Sequence, residues 1–483
     1  MIDAKKYIEE IDKKQDKLTS LSDEIWGYAE TAFTEFQSVE ALQKFFESEG
    51  FLVTPHAYGV ETAFTAEYGS GTPRVGVLGE FDALSGLSQV SDLIEKKAVT
   101  EGASGHGCGH NLLGVGSAAA ALAIKKYLED GHAGTVVYYG CPGEEGGSGK
   151  AFMARNGAFK DLDFALTWHP ATVNQVCKDS SLANFQVLYE FKGISAHAAG
   201  CPEMGRSALD ALEIMNVGTN FLREHMIDKA RVHYAITDTG GYSPNVVQSE
   251  AKAIYLIRAP RVGQAAELYK RVDKIAEGAA IMTETTYSEQ LIKSCANLVS
   301  NRVLEQALYE AMQEVGVPSY TEDAYERAEK YTATTPAGSG RAFDDLIDDH
   351  LIPENVEYLR EKKHSRINDF IVPYETIHLV KCGGGSTDVG DVSWMCPTAQ
   401  INTATWAPQT PGHSWQVVSQ GKSEIAHKGM LYAGKSIALA AIKMMEEPER
   451  IAKAREEYDE VMKDQEYIPI PEGIEPRPIS AIK

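Results

Sequence analysis

Three short apolar runs constrain this 483-residue chain most: RVGVLGEFDA over 74–83, GTVVYYGCPGEE over 134–145 and FALTWHP over 164–170. An apolar run of this length, bounded by turn residues, reads as a buried strand of the kind parallel sheets contain. A helix rich in small residues is expected from about Leu112 to Leu128, between the first two runs. The alternation predicts an α/β fold with a mixed, mostly parallel sheet flanked by helices. Such sheets place their sites beyond the carboxyl ends of the strands, and each run here ends in acids or a histidine. Upstream, Leu18, Leu21, Ile25 and Tyr28, then Val39, Leu42, Phe45 and Phe46, predict two amphipathic helices, with Gly50 placed as a C-terminal cap.

From about Ser181 the texture changes. ANFQVLYEFKG, RVHYAITD, AKAIYLIRAP and TTYSEQLIKS read as strands, and two amphipathic helices lie among them in the order β-α-β-β-α-β. That order predicts a ferredoxin-like α+β domain inserted over residues 183–294 into a first domain formed by 1–182 and 295–483. The stretch from about Tyr320 to Tyr374 is polar and poorly periodic and reads as an insertion or lid. The proline-rich IPIPEGIEPRPIS reads as a tail.

Composition narrows the function. Lys and Arg number 46 against 69 Asp and Glu, a net charge of −23. A nucleic-acid binder needs clustered basic residues, and no basic block occurs, so nucleic acid is excluded as a partner. An anionic substrate would need a local positive centre such as a metal or a placed arginine. The seven cysteines are odd in number and irregularly spaced, which predicts free thiols and a reducing compartment. No apolar signal core and no membrane-length apolar stretch is present. The expectation is a cytoplasmic protein with no membrane partner.

Several short motifs could carry chemistry. GHGCGH places His106, Cys108 and His110 between glycines just ahead of a helix. Thiolate and imidazole suit zinc and related metals, and glycine lets neighbouring side chains converge; an ordinary glycine-rich loop would read the same. Glu144 and Glu145 follow an apolar strand, where one carboxylate could bind metal and the other move a proton. An isolated pair would otherwise be a solvated turn. His169 ends a strand, His413 sits in a Gly-His-Ser turn and His197 lies in the inserted domain, each equally readable alone as structural. Lys150 follows Gly149, but Glu144 and Ala151 break the phosphate-loop pattern. Gly114 and Gly116 fall inside a helix, so they suit close packing better than dinucleotide binding, and a dehydrogenase is a distant alternative.

Taken in order, GHGCGHNLLG, YGCPGEEGGSGKAFM, ALTWHP, GRSALDA and STDVGDVSW resemble the aminoacylase–carboxypeptidase–amidohydrolase family of dinuclear metallopeptidases, in the amidohydrolase branch. The resemblance spans nearly the whole chain. It implies a metal-dependent amidohydrolase with two divalent metal ions, Mn or Zn. Cys108 would bridge them, with His110, Glu145, His169 and His413 completing the ligands and Glu144 as general base. The inserted domain would serve dimerisation and act as a lid. His197 would reach the partner subunit's site, and Asn245 and Arg258 would hold the substrate carboxylate or reacting carbonyl. The implied substrate is a small acyl-amino acid, p-aminobenzoyl-glutamate first and an indoleacetyl conjugate as the alternative. The implied assembly is a homodimer or a heteromer with a related subunit, and a weakly active partner subunit is the rival from another class. Two departures stand out. Glu80-Phe81-Asp82 replaces a His-x-Asp or Asp-x-Asp pattern, which makes Asp82 a supporting partner and leaves Glu80 without a role. Asn111 replaces an aspartate after His110.

Overall fold

The computed structural model describes residues 4–336, 338–376, 381–478 and 481. Its strands are β1 (Leu52–Pro55), β2 (Phe64–Ser70), β3 (Arg74–Glu80), β4 (Gly134–Cys141), β5 (Phe164–Ala171), β6 (Gln175–Cys177), β7 (Ala183–Lys192), β8 (Arg231–Asp238), β9 (Glu250–Ala259), β10 (Thr286–Cys295) and β11 (Thr398–Ala404). Seven form one sheet in the order β1-β2-β4-β3-β5-β11-β6. The central four, β4, β3, β5 and β11, are parallel. The β1–β2, β2–β4 and β11–β6 pairings are antiparallel, so the parallel character is confined to the middle. That is where continuous apolar runs can be covered on both faces: every residue of β4 is buried.

The parallel β3 and β4 need a crossover, and the helix His110–Glu129 provides it. Its small residues let it lie between the sheet and the long helix Glu424–Glu446. A Cβ on Gly116 would stand 2.6 Å from the Trp168 ring, so this glycine serves packing, as expected. The helix also points its first residue, His110, at the carboxyl ends of β3 and β4.

The remaining four strands form a second, antiparallel sheet in the order β10-β7-β9-β8. The helices Ala208–Leu222 and Val262–Thr283 cover one face. Along β9, Ala251, Ala253, Tyr255, Ile257 and Ala259 are buried and the residues between them are partly exposed. This is the period-two signature of a sheet packed on one side. Strands β10 and β8 are its two edges.

Two expectations need correction. The 320–374 stretch holds three helices, Glu322–Thr332, Arg341–Asp348 and Pro353–Lys362. They bury few residues each (Ala324, Ala328 and Tyr331 in the first), yet Phe343, Leu346 and Ile347 recur at helical spacing in the second, so the stretch is more periodic than its polar composition suggests. The described part of the proline-rich end is tied down rather than trailing free: Ile470 is buried, Arg155 Nη1 donates to the Ile474 carbonyl at 2.6 Å, and just before it the Tyr467 hydroxyl donates to Asp391 at 2.8 Å. All seven cysteines are free thiols. Among the described residues no helix is long and apolar enough to cross a membrane.

Candidate metal centre and substrate cleft

The carboxyl ends of the parallel strands bring together residues that are far apart in sequence. Cys108 and His110 come from the turn that opens the helix His110–Glu129. Gly109, at φ 72°, makes that turn, and a Cβ there would stand 2.9 Å from the Trp406 ring. Glu144 and Glu145 follow β4, His169 lies near the end of β5, and His413 sits in the loop before the helix Trp415–Gln420. The His413 amide donates to the Gly107 carbonyl at 2.9 Å, which ties that loop to the Cys108 turn.

These donors form two triads that share one thiol. Cys108, His110 and His169 offer atoms that all lie within 4.8 Å of one another, and so do Cys108, Glu145 and His413. Cys108 Sγ is 3.3 Å from His169 Nε2, and His413 Nε2 is 3.2 Å from Glu145 Oε1. Supporting groups orient the donors. Asp82 Oδ1 is 3.1 Å from His110 Nδ1 and its Oδ2 accepts from the Glu145 amide at 2.8 Å, so one carboxylate fixes two ligands. His169 Nδ1 donates to the Pro170 carbonyl at 2.7 Å, which leaves Nε2 with its lone pair. Glu35, buried, accepts from the amides of Phe33 and Gly143 and from the Thr62 hydroxyl, and so holds the turn that carries Glu144.

The residues fit divalent cations. His110 Nε2 is buried and has no hydrogen-bond partner, which is costly unless an ion takes that place. The thiol, imidazole and carboxylate set suits zinc or a related metal. Electrostatics agree. Burial pushes the Cys108 thiol up, with His110 opposing it, so an adjacent cation would be needed to hold the thiolate. Burial also opposes ionisation of Glu145, but His413 and His110 hold it at about 2. Glu144 is driven well above the usual carboxylate range by burial, then by Glu80, Glu145 and Asp388.

Beside the triads lies a cluster that sequence reasoning misses. Lys150 is fully buried, its Nζ 2.6 Å from both Glu80 Oε1 and Asp388 Oδ1. Asp388 Oδ2 also accepts from the Lys150 amide. The sequence invites only a phosphate-loop comparison for Lys150; a lysine in an otherwise apolar helix start, KAFMA, is the available signal.

A cleft of about 910 Å³ opens on the centre. Glu144, Glu145 and His413 line it together with Lys229, Arg231, Arg258 and Lys293. Arg258 Nη1 donates to Ser386 Oγ at 2.9 Å while its Nε has no partner. His197 and Asn245 do not line this cleft. Both are exposed on the inserted unit and adjacent, since the Ala198 amide donates to the Asn245 carbonyl at 3.0 Å. His197 Nδ1 accepts from the amides of Ala199 and Gly200, which leaves its Nε2 facing outward from that turn.

Fold and site together define a metal-dependent hydrolase of amide bonds, and the chain belongs to peptidase family M20/M25/M40, whose description matches residues 78–348. It is 46% identical to one of the subunits of the p-aminobenzoyl-glutamate hydrolase of Escherichia coli, over 97% of this chain and 98% of that protein. It is 32% identical to the Xaa-Arg dipeptidase of Mus musculus, over 65% of this chain and 72% of that protein. A solved structure of a dinuclear metal-binding M20 peptidase from Bacillus subtilis has a similar fold, with TM-score 0.54 at 14% identity over 90% of this chain and 99% of that one.

Proposed function

We propose that the chain hydrolyses p-aminobenzoyl-glutamate to p-aminobenzoate and glutamate, with two divalent cations, Mn or Zn, held by the two triads around Cys108. One observation carries the substrate class: Lys229, Arg231, Arg258 and Lys293 line the same cleft as Glu144 in a chain of net charge −23. Local positive charge in an acidic protein selects an anionic ligand. The extensive identity with a hydrolase named for this substrate supports the same reading. A substrate ending in arginine would meet like charge there.

Bound cations supply a water of lowered pKa and polarise the scissile carbonyl. Glu144 accepts the proton of the attacking water and passes it to the leaving nitrogen, a task suited to a carboxylate of raised pKa. Asp82 keeps His110 and Glu145 in place through both steps. Arg258 takes a glutamate carboxylate with two parallel hydrogen bonds, a geometry lysine cannot copy. Lys229, Arg231 and Lys293 face the second carboxylate. His197 and Asn245 act on the carbonyl and carboxylate in a partner subunit's cleft, in a homodimer or a heteromer with a related subunit; their exposure on the inserted unit supports this. The activity is expected in the cytoplasm.

The test is a substrate panel on purified chain whose metal content has been measured, alone and with a related subunit. It should contain p-aminobenzoyl-glutamate, an indoleacetyl-amino acid, a neutral acyl-amino acid and an Xaa-Arg dipeptide. The glutamate conjugate should be turned over fastest. Preference for the neutral or arginine substrate would refute the proposal.

A further inference from the structure

Glu80 ends β3 and is 2% exposed. Its two oxygens have different surroundings. Oε1 is held by Lys150 Nζ, which Asp388 holds in turn, so the carboxylate cannot swing away. Oε2 has no hydrogen-bond partner and stands 3.3 Å from His110 Nε2, which also has none. Because His110 Nδ1 is engaged with Asp82, Nε2 is the nitrogen left for a cation. Glu80, His110 and Glu144 each offer an atom within 4.8 Å of the others. An orphaned buried carboxylate oxygen and an orphaned imidazole nitrogen thus converge on one place, an arrangement that is costly unless something bonds to both.

We infer that Glu80 is a further donor to the cation on the His110 side, a sixth protein ligand of the centre, and that Lys150 and Asp388 position it. This rests on the two-cation reading above. A carboxylate added to a thiolate and two imidazoles makes that position harder and raises its coordination number, which favours Mn over Zn there. Lys150 is a positioning residue, since it acts through Glu80.

The test loads the full-length protein with Co2+ and reads three things: equivalents bound by elemental analysis, visible absorption and release to a chelator. Glu80→Asp keeps the charge that Lys150 needs but withdraws the oxygen. Glu80→Gln keeps the reach and removes the charge. Wild type should bind two equivalents, one with the weak bands of a five- or six-coordinate ion. Each variant should release one equivalent about tenfold or more faster, with stronger, four-coordinate bands. Lys150→Met, with its fold checked by circular dichroism, should move the same signals in the same direction. Unchanged affinity and spectra in both Glu80 variants would overturn the assignment and leave the two-cation reading intact. Wild type binding fewer than two equivalents would overturn that reading itself.

Discussion

At the carboxyl end of the seven-stranded sheet, charge is buried and pinned: Glu80, Lys150 and Asp388 are each at most 2% exposed, and Lys150 bonds to both acids. Along the four-stranded sheet, charge is spread and mostly open, with Lys229 and Arg231 exposed and Arg258 resting on a single serine. The first arrangement fixes donors before any ligand arrives, which is what bond-breaking chemistry needs. The second leaves cations free to meet a ligand, which is what selection needs. Under the proposed function the two sheets would divide chemistry from recognition, and substitutions should separate the two.

The largest effect should come from the buried side. Glu144→Gln is expected to lower turnover by about 10³-fold, within the range for loss of a general base, with cation content by elemental analysis unchanged. Retained activity would break the division, because the proton would then be moved from elsewhere. On the open side, Arg258→Ala should lower kcat/KM for glutamate conjugates by about 10–100-fold, equivalent to one charged hydrogen-bond pair. A neutral acyl-amino acid should be affected far less. Lys229→Ala should cost a few-fold, and the loss should shrink as salt screens the exposed charge; equal losses for neutral and acidic substrates would show that the basic lining does not select.

The last effect is read in stability. Burial, with the charge of Asp82 adding to it, raises the Glu35 carboxyl from 4.5 to about 8 in the folded protein. The folded state therefore holds this proton more tightly than the unfolded state. The resulting stabilisation is complete below the unfolded value and is lost as pH rises through about 8. Glu35→Gln should remove that loss, making the variant more stable than wild type by on the order of 1–3 kcal/mol at pH 9 and near equal at pH 5. Urea melts at the two pH values measure it.

What can be read in advance follows from periodicity and position. The apolar runs at 74–83, 134–145 and 164–170 become β3, β4 and β5, and β8 and the helix Val262–Thr283 span the stretches their patterns mark. Cys108, His110, Glu145, His169 and His413 converge because each stands at or near an end of a strand or helix. What stays hidden is long-range pairing. Lys150 and Asp388 are 238 positions apart, and a lysine that neutralises two distant acids leaves no local pattern. The helices of 320–374 escape notice because they are short and rich in charge, although Phe343, Leu346 and Ile347 keep helical spacing and Thr321 caps the first helix by accepting from the Ala324 amide.

The packed C-terminal segment reaches further than its position suggests. Tyr467 bonds to Asp391, a buried carboxyl raised to about 7 by burial against the pull of that same hydroxyl, three residues beyond Asp388. The segment around Tyr467 is thus a strut braced against the short helix Val389–Ser393, whose N-cap residue, Asp388, steadies Lys150. A protease that trims past Tyr467 would loosen a brace of the buried Lys150 cluster while leaving every candidate donor in the sequence untouched.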